Sequence, residues 1–256
     1  MTSVSLKPVF NLIPKNALID GRYFQLPVWP GPPATPQAWG PDRWPSSVWI
    51  DIQGGGNGQG KVDVAPKADG SSRTDETTYP VSSLINYRLN TEDARNWNAA
   101  NQGGTAEDGD YALLVAMHTT SKEITRWTWQ TFWWTPKADD PYLPSSAEIA
   151  GLRPMQLSGA PRNYATVYAY NPWLEAGFTP ADLPDSKPGI YNGQAVANNF
   201  GVQTNCMSCH GHANYNPNNI STAPIYTGDQ YVDLDDPRFL NTLKVDFLWS
   251  LPGNAK

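Results

Sequence analysis

Cysteine and histidine are scarce in this chain of 256 residues, with two of the first and three of the second. With three histidines in all, neither a Ser/His/Asp set nor a catalytic carboxylate pair can be nominated, which ranks hydrolase chemistry last. Basic residues form no cluster, and 18 Lys and Arg stand against 24 Asp and Glu for a net charge of −6. That balance argues against nucleic acid as a partner. No apolar run reaches the roughly 18 residues that would mark a bilayer span, so no transmembrane segment is expected. The opening stretch, Met1 to Pro8, also lacks the charged and apolar regions of a signal peptide.

What the chain has in plenty is proline, glycine and aromatic rings. The 24 Pro and 21 Gly are high numbers, yet short of the roughly 25–30 % that marks low complexity. The 11 Trp and 12 Tyr argue for a folded, aromatic-rich interior or cleft. The length suits one large domain or two small ones.

Taken in order, residues 1 to about 45 read as irregular. Prolines alternate with tryptophans in Val28-Trp29-Pro30-Gly31-Pro32-Pro33 and Ala38-Trp39-Gly40-Pro41. Proline fixes φ and cannot donate to a ladder, so an extended strap is expected, its tryptophans pressed into the body; a ligand for proline-recognising domains is the alternative. Ser47 to Ile52 alternates as a strand does. Gly55 to Lys61 then fits G-x-x-x-x-G-K, but Val62 stands where a phosphate loop needs Ser or Thr, and no helix pattern follows. A flexible hairpin loop is the better reading. A short helix is expected within Thr91–Asn98, capped by Thr91. Glu107-Asp108-Gly109-Asp110 reads as a solvated turn, since it lacks the spacing of a calcium loop.

The strongest signal for regular structure is the pair Tyr111–Thr119 and Ile124–Trp134, two strands joined by the polar link Thr120-Ser121-Lys122-Glu123. In the second, a period of two puts Trp127, Trp129 and Trp133 on one face with Thr131. Such a row forms a core or a cleft wall, or lines a ligand pocket. A short helix around Ser146–Leu152, capped by Ser145 or Ser146, and a strand over Asn163–Tyr170 follow. Phe178–Pro188 reads as a linker.

Both cysteines fall in one motif, Cys206-Met207-Ser208-Cys209-His210. C-x-x-C-H is the spacing of covalent haem c attachment. Two thiols one helical turn apart can each form a thioether to the porphyrin, and the histidine that follows can take an axial position on the iron. Three other readings stay open. A dithiol of thioredoxin type would sit at the head of a helix, which Gly211 to Pro217 cannot continue. A zinc site could draw on Cys206, Cys209, His210 and His212, though these crowd into seven positions. A disulfide would close a very small loop.

The five residues of the motif resemble those of c-type cytochromes. That resemblance implies haem attachment outside the cytoplasmic membrane, in the periplasm or otherwise extracytoplasmic, with a leader removed and a redox partner protein. Around the motif, Gly193–Asn205 is expected to be largely helical. A second helix is expected to start at Asp236-Pro237, with Phe239, Leu243, Phe247 and Leu251 on one side and Pro252-Gly253 at its end. The pair resembles a minimal cytochrome c core over about residues 190–252. The expected fold is therefore α+β: a β-rich, loop-rich domain over 1–180 and a small α-helical, cytochrome c-like haem domain over 181–256.

The chain departs from that family in having no methionine after His210. Candidates for the second axial position are His118, Met117, Met155 and His212, or the position stays open to water or tyrosine. His212 is tethered on the proximal side and reads as a surface or supporting group. Met117 and His118 point to opposite faces of their strand, and His118 is favoured. The segment Met117–Ile124, followed by Trp127, Trp129, Thr131 and Phe132, resembles one found ahead of C-x-x-C-H in secreted bacterial monohaem proteins of unassigned function. Two protein ligands imply an electron-transfer cytochrome. An open iron faced by His118, Arg126, Tyr226 or Tyr231 implies a haem oxidoreductase of peroxidase type. The long β-rich part also suits a module of a larger redox complex.

Overall fold

The computed structural model describes residues 3–31, 40–101, 103–123, 127–168, 189–191, 194–196, 210–216, 233 and 235–244. In chain order these form β1 (Val4–Ile13), β2 (Tyr23–Pro27), β3 (Ser46–Asp51), β4 (Asp63–Val64), β5 (Thr78–Pro80) and β6 (Asn86–Arg88). Then come α1 (Thr91–Ala100), β7 (Tyr111–Ser121), β8 (Thr128–Trp134), α2 (Ala147–Gly151) and β9 (Tyr164–Tyr168). The remainder are β10 (Gly189–Tyr191), β11 (Gln194–Val196), β12 (Asn214–Tyr215) and β13 (Leu243–Lys244).

One sheet runs β1-β7-β8-β9, antiparallel throughout, with β6 also paired to β7. A second runs β2-β3-β4, with β5 parallel to β3. The two meet in one apolar cluster. Leu26, Val48, Ile50 and Tyr79 come from the second sheet, and Leu113, Leu114, Trp134 and Tyr164 from the first, with Met117 and Phe132 at its margin. Burial of this kind stabilises by about 25 cal/mol for each Å² of apolar surface removed from water. Tyr79 and Trp134 meet edge-on at 5.5 Å, and Trp134 Nε1 donates to the Ser83 carbonyl at 3.0 Å.

The hairpin of β7 and β8 forms as expected, with β7 running on to Ser121. Trp127, expected on β8, lies just before it. Its φ is +61°, a left-handed backbone rare for a bulky residue, and only 2 % of its surface is exposed. The strap reading of the first 45 residues is half right. Trp29 is buried, donates from Nε1 to the Leu143 carbonyl at 2.7 Å and meets Trp44 edge-on at 5.4 Å. The irregularity expected before it is corrected by β1, whose ten residues pair with β7, and by β2, which pairs with β3.

Two loops that look like ligand sites in the sequence are closed on themselves. The glycine run after β3 folds over Asp51. Its Oδ1 accepts the Gln53 N–H at 2.8 Å, its Oδ2 accepts the Gly55 N–H at 2.9 Å, and Arg22 binds both oxygens from the other side. The loop's N–H groups thus meet an internal carboxylate where a phosphate loop would meet its nucleotide. Gly58 lies so close to the Tyr79 ring that a Cβ would strike it. The acidic turn is not solvated throughout, because Asp110 is 1 % exposed and accepts the Lys15 N–H and the Glu107 N–H, each at 2.8 Å. Asn90 caps α1 in place of Thr91, with Asp93 completing a capping box. Ser146 caps α2.

The expected α-helical haem domain is corrected. Among the described residues the chain is mostly β, the two helices α1 and α2 lie before residue 152, and His210 is the one C-terminal residue in α-helical conformation. Within the stretch where a helix was expected from Gly193, β11 (Gln194–Val196) pairs antiparallel with β10. Past Asp236 the chain makes one 3₁₀ turn, Pro237–Phe239, and Asn241 then takes φ +60°. A left-handed residue ends a helix, and Leu243–Lys244 pairs with Asn214–Tyr215 instead. The apolar spacing of four from Phe239 to Leu243 therefore spans a turn and a short ribbon. Residues 197–205 and 245–256, and the domain boundary expected near 180, lie outside the described residues. Among the described residues no helix is long and apolar enough to cross a membrane.

Candidate functional site

The face of the first sheet turned away from the apolar cluster carries a different set of residues. Directly paired residues share a face, and His118 on β7 stands between Lys7 of β1 and Thr131 of β8. One step along, Thr120 pairs with Trp129. One step the other way, Ala116 pairs with Trp133, which packs with Trp29 and Ala165. Tryptophan rings thus flank a polar row of Lys7, His118 and Thr131.

Onto this face comes the histidine of the motif. The His210 ring lies against Trp129, centroids 4.3 Å apart and planes tilted by 46°. Trp127 is next to Trp129 at 6.5 Å, and the Lys122 ammonium stands 5.9 Å from the Trp127 ring. After His210 the chain turns back, the Ala213 N–H bonding to the His210 carbonyl at 3.0 Å, and enters β12. His212, expected at the surface or in a supporting place, is 3 % exposed. Cys206 and Cys209 lie outside the described residues, as do Arg126, Tyr226 and Tyr231.

His118 is half-buried, and its Nδ1 lies 2.9 Å from the Thr131 hydroxyl. Burial pushes its pKa down from the ordinary value, and the charges of Lys7 and then of His210 push it the same way. All three disfavour the imidazolium. The unprotonated ring is the form with a lone pair to offer a metal. With Nδ1 engaged, Nε2 is the nitrogen left for that bond. His210 is near enough for its charge to be felt at His118, so two imidazoles from segments 92 positions apart share one neighbourhood.

These features suit an iron held by nitrogen ligands on this face, with His210 and His118 as the imidazoles and Cys206 and Cys209 as the covalent attachment. The other axial candidates fare worse. Met117 points the opposite way, into the margin of the apolar cluster. Met155 is 90 % exposed, whereas a thioether on a haem iron needs shelter from water. Among the described residues no three His, Cys, Asp or Glu gather as a metal cluster, so a zinc site there would need the two cysteines.

The importance of Thr131 and Trp129 was half legible, since the alternation of β8 puts both on one face. Lys7 was not, because nothing in the sequence pairs residue 7 with residue 118. In comparisons with known proteins, the chain matches no family model, no curated protein and no solved structure.

Proposed function

We propose that this chain is an extracytoplasmic c-type haem protein that passes single electrons to a partner protein. One haem is attached through Cys206 and Cys209, with His210 and His118 as axial ligands. The observation that carries the reading is that the motif's histidine rests on Trp129, on the sheet face that carries His118. The residues that would hold the haem, His118 and His210, lie on and against a β-sheet, in place of the helical bed of a cytochrome c.

A haem held by the imidazoles of His210 and His118 would supply one-electron chemistry and leave no position for a substrate. The residues of the chain act around it. The tryptophans exclude water from one side of the site. Burial first, and Lys7 second, disfavour the charged form of His118, and Thr131 engages one of its ring nitrogens.

The test is expression of the chain behind a secretion leader in a bacterium able to attach haem c, followed by intact mass and optical spectra. One added haem in the mass and low-spin bands in both oxidation states are expected. His118→Ala should turn the spectrum high-spin while the haem stays attached, because the thioethers do not involve His118. A colourless chain with a bare mass would sink the reading. High-spin bands in the unmodified protein would remove His118 from the iron and favour peroxidase-type chemistry.

A further inference from the structure

Strand β8 does more than wall the site. Its residues 129 and 131, two apart and therefore on one face, each meet one of the two imidazoles. Trp129 packs on His210 and Thr131 bonds to His118. Thr131 is also the better fixed of the pair's surroundings. It is 5 % exposed, sits opposite His118 on one side and Val167 on the other, and its carbonyl accepts the Thr166 hydroxyl at 3.1 Å. A β-branched side chain in a strand has few rotamers to choose from, so the position of the hydroxyl follows from that of the backbone.

We infer that Thr131 is the positioning residue of this site: its hydroxyl accepts the Nδ1 proton of His118, fixes the ring, and leaves Nε2 to bind the iron. This rests on the haem reading above. The neighbours of His118 in the sheet leave it no equal. Lys7, on the other side of the row, carries an ammonium that donates and cannot accept. A ligating imidazole whose second nitrogen is held is better oriented and more basic than a free one, and losing such a partner typically weakens the metal bond by roughly 10–100-fold.

The test compares Thr131→Val, which keeps the shape and removes the hydroxyl, with Thr131→Ser, which keeps the hydroxyl. Each haem-loaded protein is titrated with imidazole, which must displace His118 to bind. Half-displacement of Thr131→Val is expected at a concentration roughly tenfold lower than for the unmodified protein, with Thr131→Ser close to unmodified. In the reduced protein the Nδ1 proton of His118 should give a sharp resonance protected from exchange with water, which Thr131→Val loses. An unchanged titration in Thr131→Val, while His118→Ala still turns the spectrum high-spin, overturns the inference and leaves the haem reading standing. A spectrum that His118→Ala does not alter removes both. Should the valine variant fail to fold, the unmodified protein decides, because an Nδ1 proton exchanging as fast as that of free imidazole overturns the inference.

Discussion

Met117 and His118 are neighbours in one strand, and they live in different chemical worlds. Met117, paired with Phe132, faces the second sheet and packs at the margin of a cluster built from Leu, Ile, Val, Tyr and Trp. His118, paired with Lys7 and Thr131, faces the other way, toward tryptophan rings and the histidine of the motif. One face packs into the larger apolar cluster. The other spends a central position of the same sheet on an imidazole, a cation and a hydroxyl. Nothing about stability asks for that set, since burial and the neighbouring lysine both disfavour the charged form of the imidazole. The contrast separates what holds the fold from what the fold holds.

If the separation is right, damage to the apolar face should cost stability and leave the spectrum alone. Leu113 is fully buried, and Leu113→Ala should destabilise by about 2–5 kcal/mol, from lost transfer energy and the cavity left behind. Denaturant titration measures the loss. The haem bands below the transition should match the unmodified protein, and a shifted spectrum in the folded variant would break the contrast.

The carboxylate that gathers the glycine loop belongs to the stability side too. Arg22 bonds Asp51 and holds its pKa below the ordinary carboxylate value, helped by the Gln53 and Gly55 N–H groups and opposed by burial. A carboxyl depressed in the folded state contributes stability that is complete above its unfolded pKa, about 3.9. That contribution is lost as the pH falls from there through the folded value. Asp51→Asn should cost about 2 kcal/mol at neutral pH and flatten the acid limb of a plot of stability against pH. An acid limb as steep as before would show that other carboxylates carry it.

How much of this was legible in the sequence depends on the distance between partners. The two strands β7 and β8 lie within one window, so alternation alone put Thr131, Trp129 and Trp133 on one face and Met117 and His118 on opposite faces, while the register that sets His118 opposite Thr131 came from the structure. β1 was missed because its partner lies more than a hundred positions away. Its alternation, Val4, Leu6, Pro8 against Ser5, Lys7, Val9, is that of an edge strand, where apolar side chains stay exposed. The C-terminal error had another source. A spacing of four supports a helix only if every backbone position between can be helical, and the left-handed Asn241 breaks that condition. The motif gave His210 a role without giving it a place. Only the folded sheet supplies Trp129 as its platform.

The finest comparison returns to the adjacent pair. Met117 is partly buried, so Met117→Ala should cost about 2 kcal/mol, the low end for such truncations. His118→Ala removes a half-buried ring and one hydrogen bond, and should cost about 1 kcal/mol in stability. In the spectrum the order should invert, with Met117→Ala silent and His118→Ala changing the spin state. Two substitutions one residue apart would then be resolved by two observables in opposite order. A general loosening of the strand could not produce that crossing, because it would move both readouts together in both variants. If Met117→Ala does shift the bands, the sheet transmits strain from one face to the other, and the ligand geometry depends on the core beneath it as well as on Thr131.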